Sequence, residues 1–454
     1  MTRFDAIIVG AGQAGPPLAA RLTEAGMTVA MVERKFVGGT CVNVGCMPTK
    51  TLVASARAAH VARRGADYGV LFDGPVRIDM GRVRERALTV AHNARGNVAS
   101  WLKGMKGLTF FAGHARFEGP DRLRVGEDSL TAPRIFLNVG GRTAIPPMPG
   151  LDDVPYLTSS TILQLDQVPR HLVVIGGSYI GLEFAQMYRR FGAEVTVIER
   201  GPRLVAREDD DVSAAIRAIV EDEGITVKTG AEHTNFRPDA GGIAVSVGDE
   251  APIVGSHLLL AVGRRPNTDD LGLDAAGVAV DARGYVTVDD TLSTNVPGIW
   301  ALGDCNGRGA FTHTAYNDYE IVAANLLDGA ARKVSDRVPA YALYIDPPLG
   351  RVGLTEREAR AGGRPIAVSI RPMTRVGRAV ERGETAGFIK LVADTDTRQI
   401  LGAAILGIEG DEAIHGILDA MNAATPYPVL QWAVPIHPTV SELIPTVIGG
   451  LRPS

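Results

Sequence analysis

Residues 4–33 read FDAIIVGAGQAGPPLAARLTEAGMTVAMVE. Residues 4–9 form a short apolar, β-rich run that ends in Gly10-Ala-Gly12-Gln-Ala-Gly15. A helical stretch over 16–25 follows, then a second strand-like run over 28–32 with Glu33 at its end. Strand, glycine turn, helix, strand and acid, in that order, make the dinucleotide-binding fingerprint in the context it requires. Gly10 makes the turn, Gly12 lets the backbone approach a pyrophosphate, and Gly15 permits close packing of helix on strand. The helix N-terminus favours phosphate charge, and Pro16 and Pro17 are tolerated because they fall in its first turn. Glu33 is placed to accept hydrogen bonds from a ribose.

The pattern recurs. Residues 171–175 are a second apolar strand, followed by Gly176-Gly-Ser178-Tyr-Ile-Gly181, a helix to Arg190, a strand over 194–198 and Glu199. The first glycine lies twenty-three residues before the acid in both units, Gly10 to Glu33 and Gly176 to Glu199. One chain therefore carries two dinucleotide sites of the same period. Ser178 replaces the middle glycine and is small enough to leave phosphate approach open. A carboxylate at Glu199 accepts from the 2′-hydroxyl of NAD and repels the 2′-phosphate of NADP, so NADH is expected, with NADPH as the alternative. Arg200 and Arg203 follow and offset part of that repulsion.

Between the two units, residues 38–50 read GGTCVNVGCMPTK and hold two of the three cysteines, Cys41 and Cys46. A regular helix would set their Cα atoms about 7.5 Å apart, beyond the ~7 Å limit for bridging. A disulfide across them thus needs a break, for which Gly45 and Pro48 are the candidates. A bridge in so small a ring is strained and reducible, which suits catalysis better than bracing. Zinc would want a second ligand pair, and none lies nearby, so no metal site is expected. A structural disulfide is out of place in a chain with so few cysteines.

Residues 38–50 resemble the active-site signature of the class I pyridine nucleotide–disulfide oxidoreductases, the FAD enzymes that include glutathione reductase, dihydrolipoamide dehydrogenase and mercuric reductase. The resemblance spans essentially the whole chain. It implies an α/β architecture of two Rossmann-like domains, for FAD and NAD(P), and a C-terminal α+β dimerisation domain. The implied division is 1–149 with 271–337 for FAD, 150–270 for NAD(P) and 338–454 for the interface. The first glycine unit would then bind the ADP half of FAD. Gly303 and Asp304 match the family's aspartate beside the flavin's ribityl region, and Gly263 begins a turn similar to its GRxPN return. Asn138 departs from the usual Ala-Thr-Gly junction.

The resemblance also implies roles. Cys46 would be the thiolate against the flavin and Cys41 the thiol that attacks substrate. His437 would be the acid–base group, fixed by Glu442 and supplied by a partner subunit, which makes a homodimer obligatory. Lys50 and Glu183 match the ion pair beside the flavin's reactive nitrogen, and Tyr179 the aromatic that covers the flavin until nicotinamide displaces it. Cys305 is expected to be a small buried residue.

Composition agrees with this reading. A chain of 454 residues suits two to four domains, and a net charge of −4 leaves no electrostatic footprint for nucleic acid or an acidic membrane. No apolar run reaches the length of a membrane span, and the N-terminus enters a strand at once, so no export signal and a cytoplasmic setting are expected. Arg57, Arg63, Arg64, Arg82, Arg84 and Arg86 lie in a stretch expected to form two helices over 55–97 and read as a solvated face. Residues 108–139 read as a β-meander and 411–424 as one apolar helix.

The acceptor is less legible. Relatives acting on lipoamide usually end in His-x-His-Pro, where this chain has Pro435 at the earlier histidine. Mercuric reductases typically carry tyrosine at the position of His437 and a C-terminal cysteine pair, and neither is present. Yet residues 38–57 and 311–327 look most similar to mercuric-reductase-like chains, and to a branch that protects against reactive chlorine and reduces copper(II). The expected acceptor is a small-molecule or protein disulfide. The alternatives are a soft metal ion, mercury(II) or copper(II), and a role as electron-supplying subunit for a protein-bound disulfide.

Overall fold

The computed structural model describes residues 1–453. Its first unit runs β1 (Ala6–Val9), α1 (Gly15–Glu24) and β2 (Val29–Glu33), with every side chain of β1 buried. Then come α2 (Gly39–Val44), α3 (Cys46–Arg63) and α4 (Met80–Gly104). The Asp79 side chain caps α4 by accepting from the backbone N–H of Arg82 at 3.0 Å.

The expected meander loses both ends. β3 (Leu108–Ala112) pairs parallel with β2, and β4 (Ile135–Leu137) pairs parallel with β1 on its other side. Ile135-Phe136-Leu137 is apolar on both faces, which suits a strand buried on both sides of a parallel sheet. Only Ala115–Gly119, Arg122–Val125 and Asp128–Thr131 remain as an antiparallel ribbon.

The second unit repeats the plan with β5 (His171–Ile175), α5 (Tyr179–Phe191), β6 (Glu194–Ile198), α6 (Asp210–Asp222), β7 (Thr226–Lys228) and β8 (His257–Leu260). Its sheet order is Leu157–Thr158, β8, β5, β6, β7, all parallel. β9 (Ile299–Ala301) then returns to the first sheet beside β4, and α7 (Thr312–Leu327) follows. The last sheet is antiparallel. It is built from β10 (Ala340–Leu343), β11 (Leu349–Gly353), β12 (Ile366–Pro372), β13 (Phe388–Asp394) and β14 (Ile400–Leu406), in the order β10-β11-β14-β13-β12 with Arg452–Pro453 at the edge. The apolar helix expected over 411–424 is two short ones, Gly410–Ala413 and His415–Asn422, kinked at Ile414 where the segment packs on this sheet.

The two glycine turns are built alike. Gly10 and Gly176 have φ of 103° and 110°, and a Cβ on them would lie 2.3 Å from the Asn138 carbonyl oxygen and 2.4 Å from that of Ala261. Only glycine fits there.

The arginine face is solvated only in part. Arg63, Arg82 and Arg86 are exposed, Arg82 at 86% of its side chain, while Arg57, Arg64 and Arg84 are half-buried. Arg63 donates to the Arg190 carbonyl, Arg64 to that of Gly383, Arg84 to that of Gln164 and Arg86 to that of Thr51. Arg57 bonds Asp346 at 2.8 Å and Glu384 at 2.5 Å. Asp346 also receives Arg190 of α5, whose other edge clasps Glu223 at 2.7 and 2.8 Å. Arg57 looks inward because α3 lies between α5 and the last sheet. The same helices share one apolar core, in which Leu52 and Ala56 meet Phe184, Leu343 and Leu406.

Burial pushes the Asp346 carboxyl up, but Arg190 and Arg57 outweigh it and hold the group below its ordinary value of 3.8. A carboxyl lowered in the folded state adds stability above its unfolded pKa and loses it as pH falls through the folded one. Asp346→Asn leaves two guanidinium groups short of a charge partner and should cost about 3–5 kcal/mol at pH 7. The gap between wild-type and variant thermal midpoints should begin to narrow as pH falls below the ordinary value of 3.8 and close only below the lowered folded-state pKa, where both carry a neutral group. Equal midpoints at pH 7 would show that the clamp contributes nothing.

Candidate active site

Cys41 lies within α2 and Cys46 opens α3, with Gly45 as the break between them. A Cβ on Gly45 would sit 2.8 Å from the Thr40 carbonyl oxygen and 3.2 Å from the Cys41 Cα, so the chain can turn this tightly from α2 into α3 only at glycine. Pro48, the other expected breaker, lies in the first turn of α3, where a missing N–H is harmless.

Both cysteines are thiols in this structure. The pair is split in acidity: Cys46 is lowered to about 6, first by the Cys41 thiol and then by the Thr312 hydroxyl and the Lys50 charge, against burial. Cys41 is pushed far up by the Cys46 sulfur and by burial. The Cys46 sulfur lies 3.2 Å from the Thr312 hydroxyl, at the start of α7, and its position at the N-terminus of α3 adds to the thiolate's support.

Lys50, one turn on in α3, reaches across to α5. Its Nζ lies 2.6 Å from Glu183 Oε2 and 4.4 Å from the centroid of the Tyr344 ring. Glu183 Oε1 accepts the Tyr344 backbone N–H at 3.0 Å. Cys305 is buried among apolar neighbours, donates weakly to the carbonyls of Leu137 and Leu302, and is pushed up to about 12 by burial.

These groups border one continuous cleft of about 2100 Å³. That exceeds the ~300–1,000 Å³ of a pocket for one drug-sized ligand. It is lined by Gly10, Gly12, Glu33, Gly303 and Asp304 of the first unit, by Gly176, Ser178, Tyr179, Glu199 and Gly263 of the second, and by Cys41, Cys46 and Lys50. Gly181 sits behind its loop, where its own backbone packs against the Gly176 carbonyl, and Gly15 packs likewise on Gly10. Glu33 accepts from the N–H groups of Ala11 and Lys35 at 2.9 and 2.8 Å. Glu199 repeats this with Gly177 and Gly201 at 2.6 and 2.7 Å.

The first loop fits FAD by the chemistry of its groups. A helix N-terminus would face phosphate, Glu33 would face a ribose, and the Asp304 carboxyl, raised by burial with Arg264 3.4 Å away, would offer acceptor oxygens to hydroxyls deeper in. Asn138 finds its purpose here. With its amide turned so that oxygen meets N–H groups, it accepts from Gly15 at 2.9 Å and Gly12 at 3.2 Å, bracing the glycine turn from behind.

His437 and Glu442 bond each other, Nδ1 to Oε2 at 2.9 Å, but do not line the cleft. The imidazole is 80% exposed. The segment before it exposes Val429, Trp432, Val434 and Ile436.

Sequence reasoning placed every other site residue on this cleft or its loops. It missed Thr312, Tyr344 and the bracing role of Asn138. Thr312 carries a faint signal, standing at the start of a helix in a stretch already singled out; Tyr344 carries none.

Comparison with known proteins gives the same outline. Residues 4–318 match the pyridine nucleotide-disulphide oxidoreductase family, and residues 339–448 its dimerisation domain. The chain is 36% identical over 451 residues to the probable pyridine nucleotide-disulfide oxidoreductase RclA of Escherichia coli, covering 97% of this chain and 98% of that one. It is 34% identical to the dihydrolipoyl dehydrogenase of Thermus scotoductus, covering 97% and 96%, and 34% identical to the mercuric reductase of Bacillus cereus, covering 91% and 66%. Among solved structures it is similar to the HOCl-induced flavoprotein disulfide reductase RclA from Escherichia coli, with a TM-score of 0.90, 34% identity and 98% and 99% coverage. A Cu(II) complex of that protein matches with a TM-score of 0.91 at 34% identity, covering 99% of each chain.

Titration of the reduced protein with 13C-labelled cysteines, followed by NMR, should show Cys46 ionising near pH 6 while Cys41 stays protonated. Thr312→Val removes a donor to the thiolate and should move the Cys46 transition upward, cutting its thiolate fraction at pH 6 severalfold. An unmoved transition would remove Thr312 from the site.

Proposed function

Since the chain belongs to the pyridine nucleotide–disulfide oxidoreductases, FAD-dependent enzymes, we propose that Cys41 and Cys46 are its redox-active pair, with NADH as preferred donor and a disulfide as acceptor. The observation that carries this is the pair itself: two thiols on either side of the Gly45 break, on a cleft that also holds both nucleotide loops, with Cys46 the more acidic. Gly10, Gly12, Gly15, Glu33, Lys50, Gly303 and Asp304 would hold FAD, and Gly176, Ser178, Tyr179, Gly181, Glu199 and Gly263 the nicotinamide nucleotide. The chemistry that FAD supplies when bound is relay of an electron pair from nicotinamide to the protein thiols. In sum, NADH, a proton and a disulfide become NAD⁺ and two thiols.

The chain's own groups divide the rest. Cys46, already a thiolate near neutral pH, is held by Thr312 and Lys50. Cys41 must give up its proton to attack a disulfide, and it needs a base. Two histidines line the cleft, His114 and His313, and each has its Nε2 against a backbone carbonyl, of Asp270 and Ala340. His437 has Nε2 free toward the outside and Glu442 to stabilise the imidazolium. A second copy of the chain, docked through the dimerisation domain over the exposed strip at 429–436, would bring it to Cys41.

Glu199 supports NADH. Both its oxygens are fixed by backbone N–H groups at the cleft, where a 2′-phosphate would meet a negative charge. Arg203 is drawn away to Asp210 and the Ala206 carbonyl, which leaves Arg200 alone to offset it. A soft metal ion is the competing acceptor, since thiolates suit it. Among the described residues no group of three or more His, Cys, Asp and Glu side chains joins to hold one. The same reading assigns 1–149 with 271–337 to FAD, 150–270 to the nicotinamide nucleotide and 338–454 to the interface, and a reducing compartment, the cytoplasm. No helix among the described residues is long and apolar enough to cross a membrane.

Anaerobic NADH consumption tests the acceptor, with oxidised glutathione, lipoamide, mercury(II) in excess thiol and copper(II) in parallel. Turnover of a disulfide, lost in Cys46→Ser and about tenfold better in kcat/KM with NADH than NADPH, is the expected result. Turnover of a metal ion alone would replace this reading. A shared site makes a second prediction: Cys41→Ser and His437→Ala homodimers should each be nearly inactive, while their mixed dimer, with one intact site of two, should regain about half of the wild-type activity. An inactive mixed dimer would place the base within one chain.

A further inference from the structure

Glu208 is a fully buried carboxylate between the nicotinamide half of the cleft and the last sheet. Its Oε1 accepts the Tyr341 hydroxyl at 2.6 Å and lies 3.5 Å from the Tyr179 hydroxyl. Its Oε2 makes no hydrogen bond and faces Arg351 Nε at 3.5 Å. Arg351 is itself 1% exposed, and none of its three guanidinium nitrogens has a hydrogen-bond partner. A buried ion pair this loosely bonded is a poor source of stability, because desolvation outweighs attraction unless hydrogen bonds are made. What the charge does provide is a fixed acceptor for two phenols.

Those phenols differ. Tyr341 is bonded closely, while Tyr179 is at the limit of a hydrogen bond, its ring edge-on to Tyr341 at 5.6 Å and to Phe311 at 6.5 Å. Burial pushes both hydroxyls up, so both remain donors at working pH. The turn that presents Glu208 is strained: Val205, a buried β-branched residue, has φ of 42°. Its N–H bonds the Gly177 carbonyl at 2.9 Å and its carbonyl accepts from Glu208 N–H at 2.8 Å. One strained residue thus ties the nucleotide loop to the carboxylate behind the tyrosines.

We propose that Glu208 is a positioning residue that latches Tyr179, through the anchored Tyr341, across the nicotinamide half of the cleft, so that nucleotide entry requires the Tyr179–Glu208 contact to break. This rests on the proposed nicotinamide site. Closure competes with binding, so the apparent affinity is reduced by the fraction of open molecules.

Stopped-flow reduction of the flavin in the holoenzyme, as a function of NADH concentration, reads the latch apart from the acceptor. Tyr179→Phe keeps the ring and removes the donor; it should lower the half-saturating NADH concentration by about threefold to tenfold. Glu208→Gln should lower it similarly, and the double variant should be no lower than the single ones, because both remove one contact. Half-saturation unchanged in Tyr179→Phe, which alters only a hydroxyl and decides the matter if Glu208→Gln fails to fold, would overturn the latch while leaving the nicotinamide site intact. A drop in limiting rate alone, at constant half-saturation, would likewise mark the network as scaffolding. Failure of NADH and NADPH to bleach wild-type flavin would overturn the site and the latch together.

Discussion

The face where α3 meets α5 sets everything near the thiols. Lys50 and Arg57 lie two turns apart on α3, and Glu183 and Arg190 two turns apart on α5. Seven residues return a helix to nearly the same face, so each helix presents one charged stripe to the other. Between the stripes enters the segment after β10, with Tyr344 against Lys50 and Asp346 between Arg57 and Arg190. Three sequence-distant parts of the chain thereby meet along one seam. The thiols ride on α3 and the second glycine loop opens α5, so the seam fixes the distance between reductant and oxidant sites.

Rigidity there has an electrostatic use. A thiolate at Cys46 needs nearby positive charge that does not move, and Lys50 is held by Glu183 on one side and the Tyr344 ring on the other. Glu183 in turn has both oxygens engaged, one by Lys50 and one by a backbone N–H. A charge fixed this way acts on the thiol without the reorganisation that a mobile lysine would require. The acidity gap between Cys46 and Cys41 follows from their interaction: one sulfur can carry the charge only while the other keeps the proton.

Legibility in the sequence tracks how local the physics is. The glycine turns and Glu33 and Glu199 were readable because a few adjacent residues contain the whole constraint, the turn, the close approach and the acid that accepts its N–H groups. The break at Gly45 was readable for the same reason. Lys50, Glu183 and Tyr179 were placed only by resemblance, since no spacing relates α3 to α5. Thr312, Tyr344 and Glu208 join the site through tertiary packing alone. Arg57 misled because charge on a helix usually marks solvent, and here the covering sheet turns it inward. β3 misled because an edge strand of a parallel sheet and the first strand of a meander share one pattern.

The placement of His437 shows why a fold this complete still leaves its site open. Every group that holds charge in the cleft is anchored by the same chain, whereas the group that must take a proton from Cys41 under the proposed mechanism is turned outward. The two cleft histidines are bound to carbonyls, and burial pushes His313 down, away from the protonated state. A base lodged permanently beside Cys41 would drain the interaction that lowers Cys46, because the two thiols share one proton between them. Carrying the base on an exposed apolar strip of another copy separates these demands. Under that mechanism one chain would set the acidity of the pair, and docking of the second would decide whether Cys41 can react.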